Sequence, residues 1–325
     1  MLLVIIGHMP LGDYPMIRTF IYSFHMPLFF LISGYFFKQR ENKDCLKNIF
    51  RHLILPYIIT CLVMIGYLIL KNVIVEKSIV QIPSILKTWS LAALYGKGSG
   101  TEFGIIPIGA IWFLLALSFS TYFMNILYNN KYRALWIIAI AFVGYKTAQY
   151  FWLPFSIQAG MTALFFMYLG VLAKENDILN IKINWILYSF LIFTTVFCTM
   201  YCGKLFMVKN IFENGIIDII GALSGSILCI KFSMIIDKFS KYIKKFLVFM
   251  GRNSLIAMCA HLFSLNCIGW TFAFKMFSKI GMDNRMICAT LVNIIWVLIV
   301  LIILKIVIPK IKEIIKSKTI KNEIG

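Results

Sequence analysis

The sequence predicts an all-α, polytopic helical bundle in a membrane, and three observations predict it. The 325 residues are 61% hydrophobic and only 14% charged, with a mean hydropathy of +0.86. A soluble domain carries about 25% charged residues. Nine apolar runs approach the roughly 20 residues a helix needs to cross about 30 Å of hydrocarbon. The basic residues between these runs collect in alternate connections. The same composition excludes a cytosolic globular enzyme, a disordered chain and a disulfide-stapled secreted module.

The elements follow in order. Met1–Pro10 is apolar but only half a span long. Nothing basic precedes it and no small-residue cleavage site follows, so no cleavable signal is expected here. The expectation is the outer end of a first helix that begins upstream, giving about ten spans with the first truncated. The second span, 19–37, carries Pro27 and a Ser33-Gly34 step that permits close helix packing. A third lies at 53–75. Residues 71–108 hold Gly-Lys-Gly-Ser-Gly at 96–100, with Pro83 and Pro107, and read as a surface loop. That string lacks the spacing and strand-to-helix setting of a phosphate-binding loop. The remaining spans are expected at 109–128, 134–152, 157–174, 183–202, 212–236, 246–269 and 286–308. Residues 1–310 thus read as one transmembrane domain, and 311–325 as a basic cytoplasmic tail. Lys310–Lys321 is amphipathic and is expected on the inner membrane face. No internal repeat is evident, which weighs against an inverted-repeat transporter.

In a soluble protein a net charge of +19 would suggest nucleic acid. Here it reads first as topology, and no nucleic-acid partner is expected. Segments 38–52, 129–133, 174–182, 231–245 and the tail hold 19 of the 32 Lys and Arg residues; the alternate segments, 11–18, 71–108, 153–156, 203–211 and 270–285, hold 10. The first set is therefore expected in the cytoplasm, with both termini inside a multi-pass cell-membrane protein. Anionic membrane lipid would attract the same residues.

The eight cysteines fall mostly inside spans and form no CxxC pair. They read as buried thiols rather than a metal site. Ionisable residues inside spans point to function by default. Of four histidines, His8, His25 and His261 share the outer half of the bilayer, and His52 stands at the inner start of the third span. Arg18 joins the first three from the short connection before the second span. Pro10 and Pro27 each follow a histidine by two residues and withdraw a helical N–H there. Asn253, Ala257 and His261 recur every fourth residue and share a helix face, where small Ala257 and Ala260 leave room beside the imidazole. Trp112 and Asp218 also fall in the outer third. Structural alternatives stand beside these readings. An intramembrane histidine serves equally well as a helix–helix hydrogen bond, Arg18 can snorkel to the surface, and Asp218 can mark an interface.

At these residues the chain resembles a known family. His8, followed by Phe24-His25-Met26-Pro27-Leu28-Phe29-Phe30-Leu31-Ile32-Ser33-Gly34-Tyr35, is similar to the signature of the acyltransferase-3 family, in its fucose 4-O-acetylase-like branch. Leu55-Pro56-Tyr57, Ile111-Trp112-Phe113-Leu114, Phe165-Phe166-Met167-Tyr168-Leu169-Gly170 and Gly251-Arg252-Asn253-Ser254-Leu255 follow in family order. The resemblance implies ten spans. It implies transfer of an acetyl or other short acyl group from acyl-CoA, as co-substrate, to a hydroxyl of a surface polysaccharide or lipid-linked sugar. No bound cofactor or metal is expected. His8 matches the histidine regarded as catalytic, with Arg18 and His25 as catalytic partners and Trp112, Asn253 and His261 as substrate-binding candidates. Neutral imidazole suits deprotonation of a sugar hydroxyl, and the oxyanion needs hydrogen-bonding or positive groups. Lys47 and Arg51 could meet the CoA phosphates, although topology alone explains their charge equally well. A glycan or lipid transporter without chemistry, and an inactive truncated member, are the alternatives.

Overall fold

A computed structural model describes residues 1–9, 15–201, 205–279, 281 and 284–324. Pro10 and Cys202, on which parts of the sequence argument fell, lie outside the described residues. The protein is helical almost throughout, as expected of an all-α membrane bundle. Five stretches are long and apolar enough to cross a membrane: Pro15–Tyr35, Asn42–Ile74, Pro154–Glu175, Ile216–Ile236 and Arg285–Lys305. Lys241–Arg252 and Ser254–Cys267 would make a sixth if they are one span, but they meet at a 75° bend. Trp112–Leu127 and Trp185–Tyr201 are apolar and shorter. Many lipid-compatible side chains face outward, among them Ile59, Leu62 and Val63 on one helix. Water would penalise such a surface, whereas hydrocarbon does not.

The described residues form two compact units. The larger, 11–241, contains α2 (Pro15–Tyr35), α3 (Asn42–Ile49), α4 (Leu55–Ile74), α5 (Ile82–Tyr95), α6 (Trp112–Leu127), α7 (Arg133–Thr147), α8 (Ile157–Glu175), α9 (Trp185–Tyr201) and α10 (Ile216–Phe239). A two-residue antiparallel ladder, β1 (Leu205–Phe206) with β2 (Ile211–Phe212), precedes α10. Helix α8 is the core of this unit and packs on α2, α6 and α7. Glycines set those distances. A Cβ on Gly34 of α2 would fall 1.8 Å from the Met167 carbonyl oxygen of α8, and one on Gly170 of α8 would fall 1.9 Å from the Leu31 oxygen of α2. The two backbones touch where both side chains are hydrogen, as Ser33-Gly34 foretold. Gly160 meets Ala116 of α6, and Gly144 of α7 meets Gln158, in the same way.

Three features of this unit differ from the apolar-run reading. The expected surface loop 71–108 contains α5, anchored where Tyr57 Oη donates to Ala93 O at 2.6 Å. Between α3 and α4, Phe50–Ile54 form a π-helical turn. Pro56 lacks the N–H that would bond back to His52 O, so the ladder slips by one residue there. Pro27 lies inside an uninterrupted α2 rather than breaking it.

Contacts within the larger unit group its connections as their charges did. The Asn125 amide bonds Arg40 N, Arg40 O and Asn42 Oδ1, each at 3.0 Å, Arg133 pairs with Glu175, and Lys231 Nζ donates to Leu179 O at 2.6 Å and Ile181 O at 2.9 Å. These join the segments near 40, 130, 175–181 and 231 at one end. Lys97, Gln149 and Lys209 meet around one cavity and join the segments near 97, 149 and 209.

The smaller unit, 1–10 with 242–325, contains α1 (Leu2–Gly7), nearly all of α11 (Lys241–Arg252), α12 (Ser254–Cys267), α13 (Thr271–Lys279) and α14 (Arg285–Ile324). The run 246–269, read as one span, is broken at Asn253. Asn253 Nδ2 donates to Phe249 O at 2.8 Å, and its own carbonyl accepts the Ala257 N–H at 2.9 Å, so one residue closes α11 and opens α12. Helix α14 passes through Pro309 to Ile324; the side-chain face of the basic tail lies outside the described residues. Helices α1, α12 and α14 share a core of Ile5, Met9, Ala257, Ala260, Ala289 and Val297. Ala257 and Ala260 therefore give room to neighbouring helices rather than opening space beside His261.

Candidate functional site

In the smaller unit the structure brings together His8 and His261. Helix α1 ends at Gly7, and His8 follows with φ −90° and ψ −5°. Its ring Nδ1 lies 2.8 Å from the Val4 carbonyl oxygen. That oxygen can only accept, so Nδ1 carries a hydrogen and the lone pair of the neutral ring resides on Nε2. His261 approaches edge-on, with ring centroids 5.5 Å apart and planes at 75°. It is fully buried, and neither ring nitrogen has an aligned hydrogen bond among the described residues. Asn293 lies beside the imidazole, but its groups are engaged elsewhere. Its Oδ1 accepts from Ser264 Oγ at 2.6 Å, while Nδ2 donates to Ala289 O at 2.9 Å and to Met9 Sδ at 3.4 Å. Trp270 Nε1 in turn donates to Ser264 Oγ at 2.9 Å. A buried polar group left without a partner costs about 1–3 kcal/mol. Among the described residues His261 stands in that position, beside a histidine whose Nδ1 faces the Val4 carbonyl.

Asn253 shares the face of His261 two turns away, and its amide serves the helix break described above. Asn293, Ser264 and Trp270 were not among the sequence candidates. Asn293 had a readable signal, since it is a buried amide within the most apolar of the membrane-length helices.

In the larger unit, α2 carries Arg18 exposed near its start and His25 buried one turn below Tyr22. The His25 ring stacks on Tyr22 at 5.0 Å and 29°, and its Nδ1 lies 2.9 Å from Ile21 O. The tautomer is fixed by the same rule as for His8. Arg18 lies within electrostatic reach of Tyr22. Trp112 is buried at the start of α6 beneath the 97–100 loop, where a Cβ on Gly98 would fall 2.3 Å from its ring. Its observed surroundings are packing contacts. Lys47 and Arg51 are exposed on α3 and the π-helical turn. Asp218 accepts the Asn214 N–H at 2.8 Å and so ties down the entry to α10. Of the cysteines, Cys45, Cys61, Cys198, Cys267 and Cys288 are buried thiols, and Cys229 and Cys259 are half-buried. Among the described residues no three His, Cys, Asp or Glu side chains cluster as a metal site would require.

A family model described as an acyltransferase domain, that of acyltransferase-3, matches residues 1–309. The chain belongs to the acyltransferase-3 family. No curated protein and no solved structure matches it. Within this acyltransferase-3 protein the matched range covers all of the larger unit and the smaller unit up to residue 309, and includes every residue of the His8–His261 site. Membership makes it a membrane acyltransferase in general terms. The donor, the acceptor and the roles of particular residues are matters for proposal.

Proposed function

We propose that the protein transfers an acetyl or other short acyl group from acyl-CoA to a hydroxyl of an extracytoplasmic glycan or its lipid-linked precursor, as in the fucose 4-O-acetylase-like branch. The observation that carries the reading is His8. Its Nδ1–H is held by the Val4 carbonyl, which leaves Nε2 as the basic nitrogen, and His261, whose ring nitrogens have no aligned hydrogen bond among the described residues, stands edge-on beside it. The acceptor hydroxyl gives its proton to His8 Nε2 as its oxygen bonds to the thioester carbonyl carbon. The tetrahedral oxyanion takes a hydrogen bond from an N–H of His261, a donor with no aligned acceptor among the described residues. Collapse breaks the C–S bond, the leaving thiolate takes the proton from His8, and the base returns to its neutral state. No protein nucleophile is required.

Arg18 and His25 supply a second set of polar groups in the larger unit, suited to a polar ligand there. Lys47 and Arg51 present two cations about one helical turn apart, suited to phosphate groups of CoA. By the positive-inside argument both faces of that end, and both termini, belong to the cytoplasm.

The test uses the full chain in lipid vesicles and measures acceptor-dependent release of the CoA thiol. His8→Ala is expected to abolish release, a loss of at least about 100-fold for a general base. A fully active His8→Ala variant would remove the role given to His8. Substrate movement that persists without acyl-CoA and tolerates the substitution would favour a transporter instead.

A further inference from the structure

The larger unit contains a cavity of about 310 Å³ that the proposed chemistry does not use. Lys97, Glu102, Gln149, Tyr150, Trp152 and Lys209 line it. The Gly-Lys-Gly-Ser string, which lacks the spacing of a phosphate-binding loop, forms one wall of this cavity.

Internal hydrogen bonds hold the walls in place. Gly96 ends α5 in the left-handed region at φ +66°, and Ser156 Oγ donates to its carbonyl at 2.7 Å. The Lys97 carbonyl accepts the Ile108 N–H at 2.8 Å. The Lys97 ammonium pairs with the Glu102 carboxylate and lies 5.2 Å over the Trp152 ring. On the opposite wall the Trp152 carbonyl accepts from Tyr95 Oη at 2.7 Å. Gln158 fixes the same turn by accepting from Leu153 N at 2.7 Å and donating to Phe151 O at 3.0 Å. Beside Lys209, Asn210 Nδ2 donates to Gly144 O at 3.3 Å. The indole N–H of Trp152 is buried with no hydrogen-bond partner among the described residues.

This lining selects a ligand class. Its volume sits at the lower end of the roughly 300–1,000 Å³ range of small-molecule sites, too small for a whole acyl-CoA. A lipid chain would leave Lys97, Glu102, Gln149 and Lys209 facing hydrocarbon. A sugar ring meets every feature. Its C–H face packs on the exposed Tyr150 ring, and its hydroxyls bond to the Gln149 amide, the Glu102 carboxylate and the ammonium groups, which fix its orientation. Tyr150 is 83% exposed at the rim, so the ring can enter without displacing it.

We propose that this cavity is a carbohydrate subsite that holds one pyranose residue of the acceptor glycan. The proposal rests on the glycan acceptor named above and adds where its sugar is recognised. The test is equilibrium binding to purified full-length protein without acyl-CoA, read by calorimetry and tryptophan fluorescence. The probes are oligosaccharides released by mild acid from the surface glycans of the cell that carries the gene. Saturable binding is expected, and Tyr150→Ala, Glu102→Gln and Lys209→Ala should each weaken it roughly tenfold. His8→Ala should bind as the parent does. Absence of saturable binding, or unchanged affinity in all three variants at parental melting temperature, overturns the subsite. Variant-sensitive binding without any CoA release upholds the subsite and removes the acyltransferase reading. Glycan-dependent CoA release with KM unchanged in all three variants does the reverse.

Discussion

Adding one methyl group at Gly34 or Gly170 should separate the two helices at the centre of the larger unit. A Cβ at Gly34 would sit 1.8 Å from Met167 O and 2.7 Å from its carbonyl carbon; at Gly170 it would sit 1.9 Å from Leu31 O and 2.8 Å from Tyr35 N. Real contacts hardly ever fall below 3.0 Å, so α2 and α8 must move apart by at least about 1.2 Å. Every obstructing atom belongs to backbone, and no rotamer change relieves the clash. Overpacking of this kind typically costs about 1–3 kcal/mol. A gap of roughly 1 Å also forfeits a quarter to a half of each dispersion contact across the interface. The upper figure, about 3 kcal/mol, is therefore expected for either Gly34→Ala or Gly170→Ala. At about 2–4 °C per kcal/mol this is a fall of roughly 6–12 °C in melting temperature. The two substitutions should not add. Once the helices have separated, the second methyl enters space already opened, so the double variant should cost less than the sum by about 1–3 kcal/mol. Gly66→Ala in α4 is the control of opposite sign. Nothing lies within 4 Å of its Cβ position, and helix propensity favours alanine there by about 0.5–1 kcal/mol. Thermal unfolding in one detergent, followed by size-exclusion fluorescence, measures all four variants. Parental stability in both single variants, or strict additivity in the double, refutes the close-approach argument.

Two further predictions concern contacts at the same end of the larger unit, on α6 and α7. Asn125→Ala removes three hydrogen bonds that tie residues 40–42 to α6 at a site only 3% exposed, and should cost about 2–3 kcal/mol in the same unfolding assay. The Arg133–Glu175 pair joins α7 to α8, and Arg133 also lies 5.5 Å over Tyr128 and 5.8 Å over Tyr168. With both side chains a quarter or more exposed, a double-mutant cycle should find no more than about 1 kcal/mol, shrinking as salt is raised.

What was legible in the sequence followed from the solvent. Apolar runs at 157–174, 183–202 and 212–236 reappear as α8, α9 and α10 within a few residues at their starts and ends. A helix in hydrocarbon must satisfy its backbone internally, so hydropathy alone almost dictates its extent. A close helix approach at Gly34 was legible as well, although its partner α8 was not. Gly34 and Gly170 both stood in the strings that carried the family resemblance, and small residues mark helix contacts in membranes. Helix α5 and the π-helical turn at Phe50–Ile54 were not legible. The first is too short to reach hydropathy length. The second needs the consequence of one missing N–H at Pro56 worked out along the ladder.

The break at Asn253 shows where the reading of the site ran out. Period-four spacing correctly placed Asn253, Ala257 and His261 on one face, but spacing does not say what a face meets. Asn253 supplies the hydrogen bonds that a 75° bend requires, and Ala257 admits the neighbouring helices. Only His261 remains with polar atoms to offer. Its difference from Asn253 is one of satisfaction rather than position, and satisfaction depends on residues far away in the chain. Asn293 is 32 positions on, and its amide is already committed to Ser264, Ala289 and Met9. Among the described residues neither His261 nitrogen has an aligned hydrogen bond, since Asn293 is engaged elsewhere, and this is what favours His261 over Asn253 in the proposed pairing with His8.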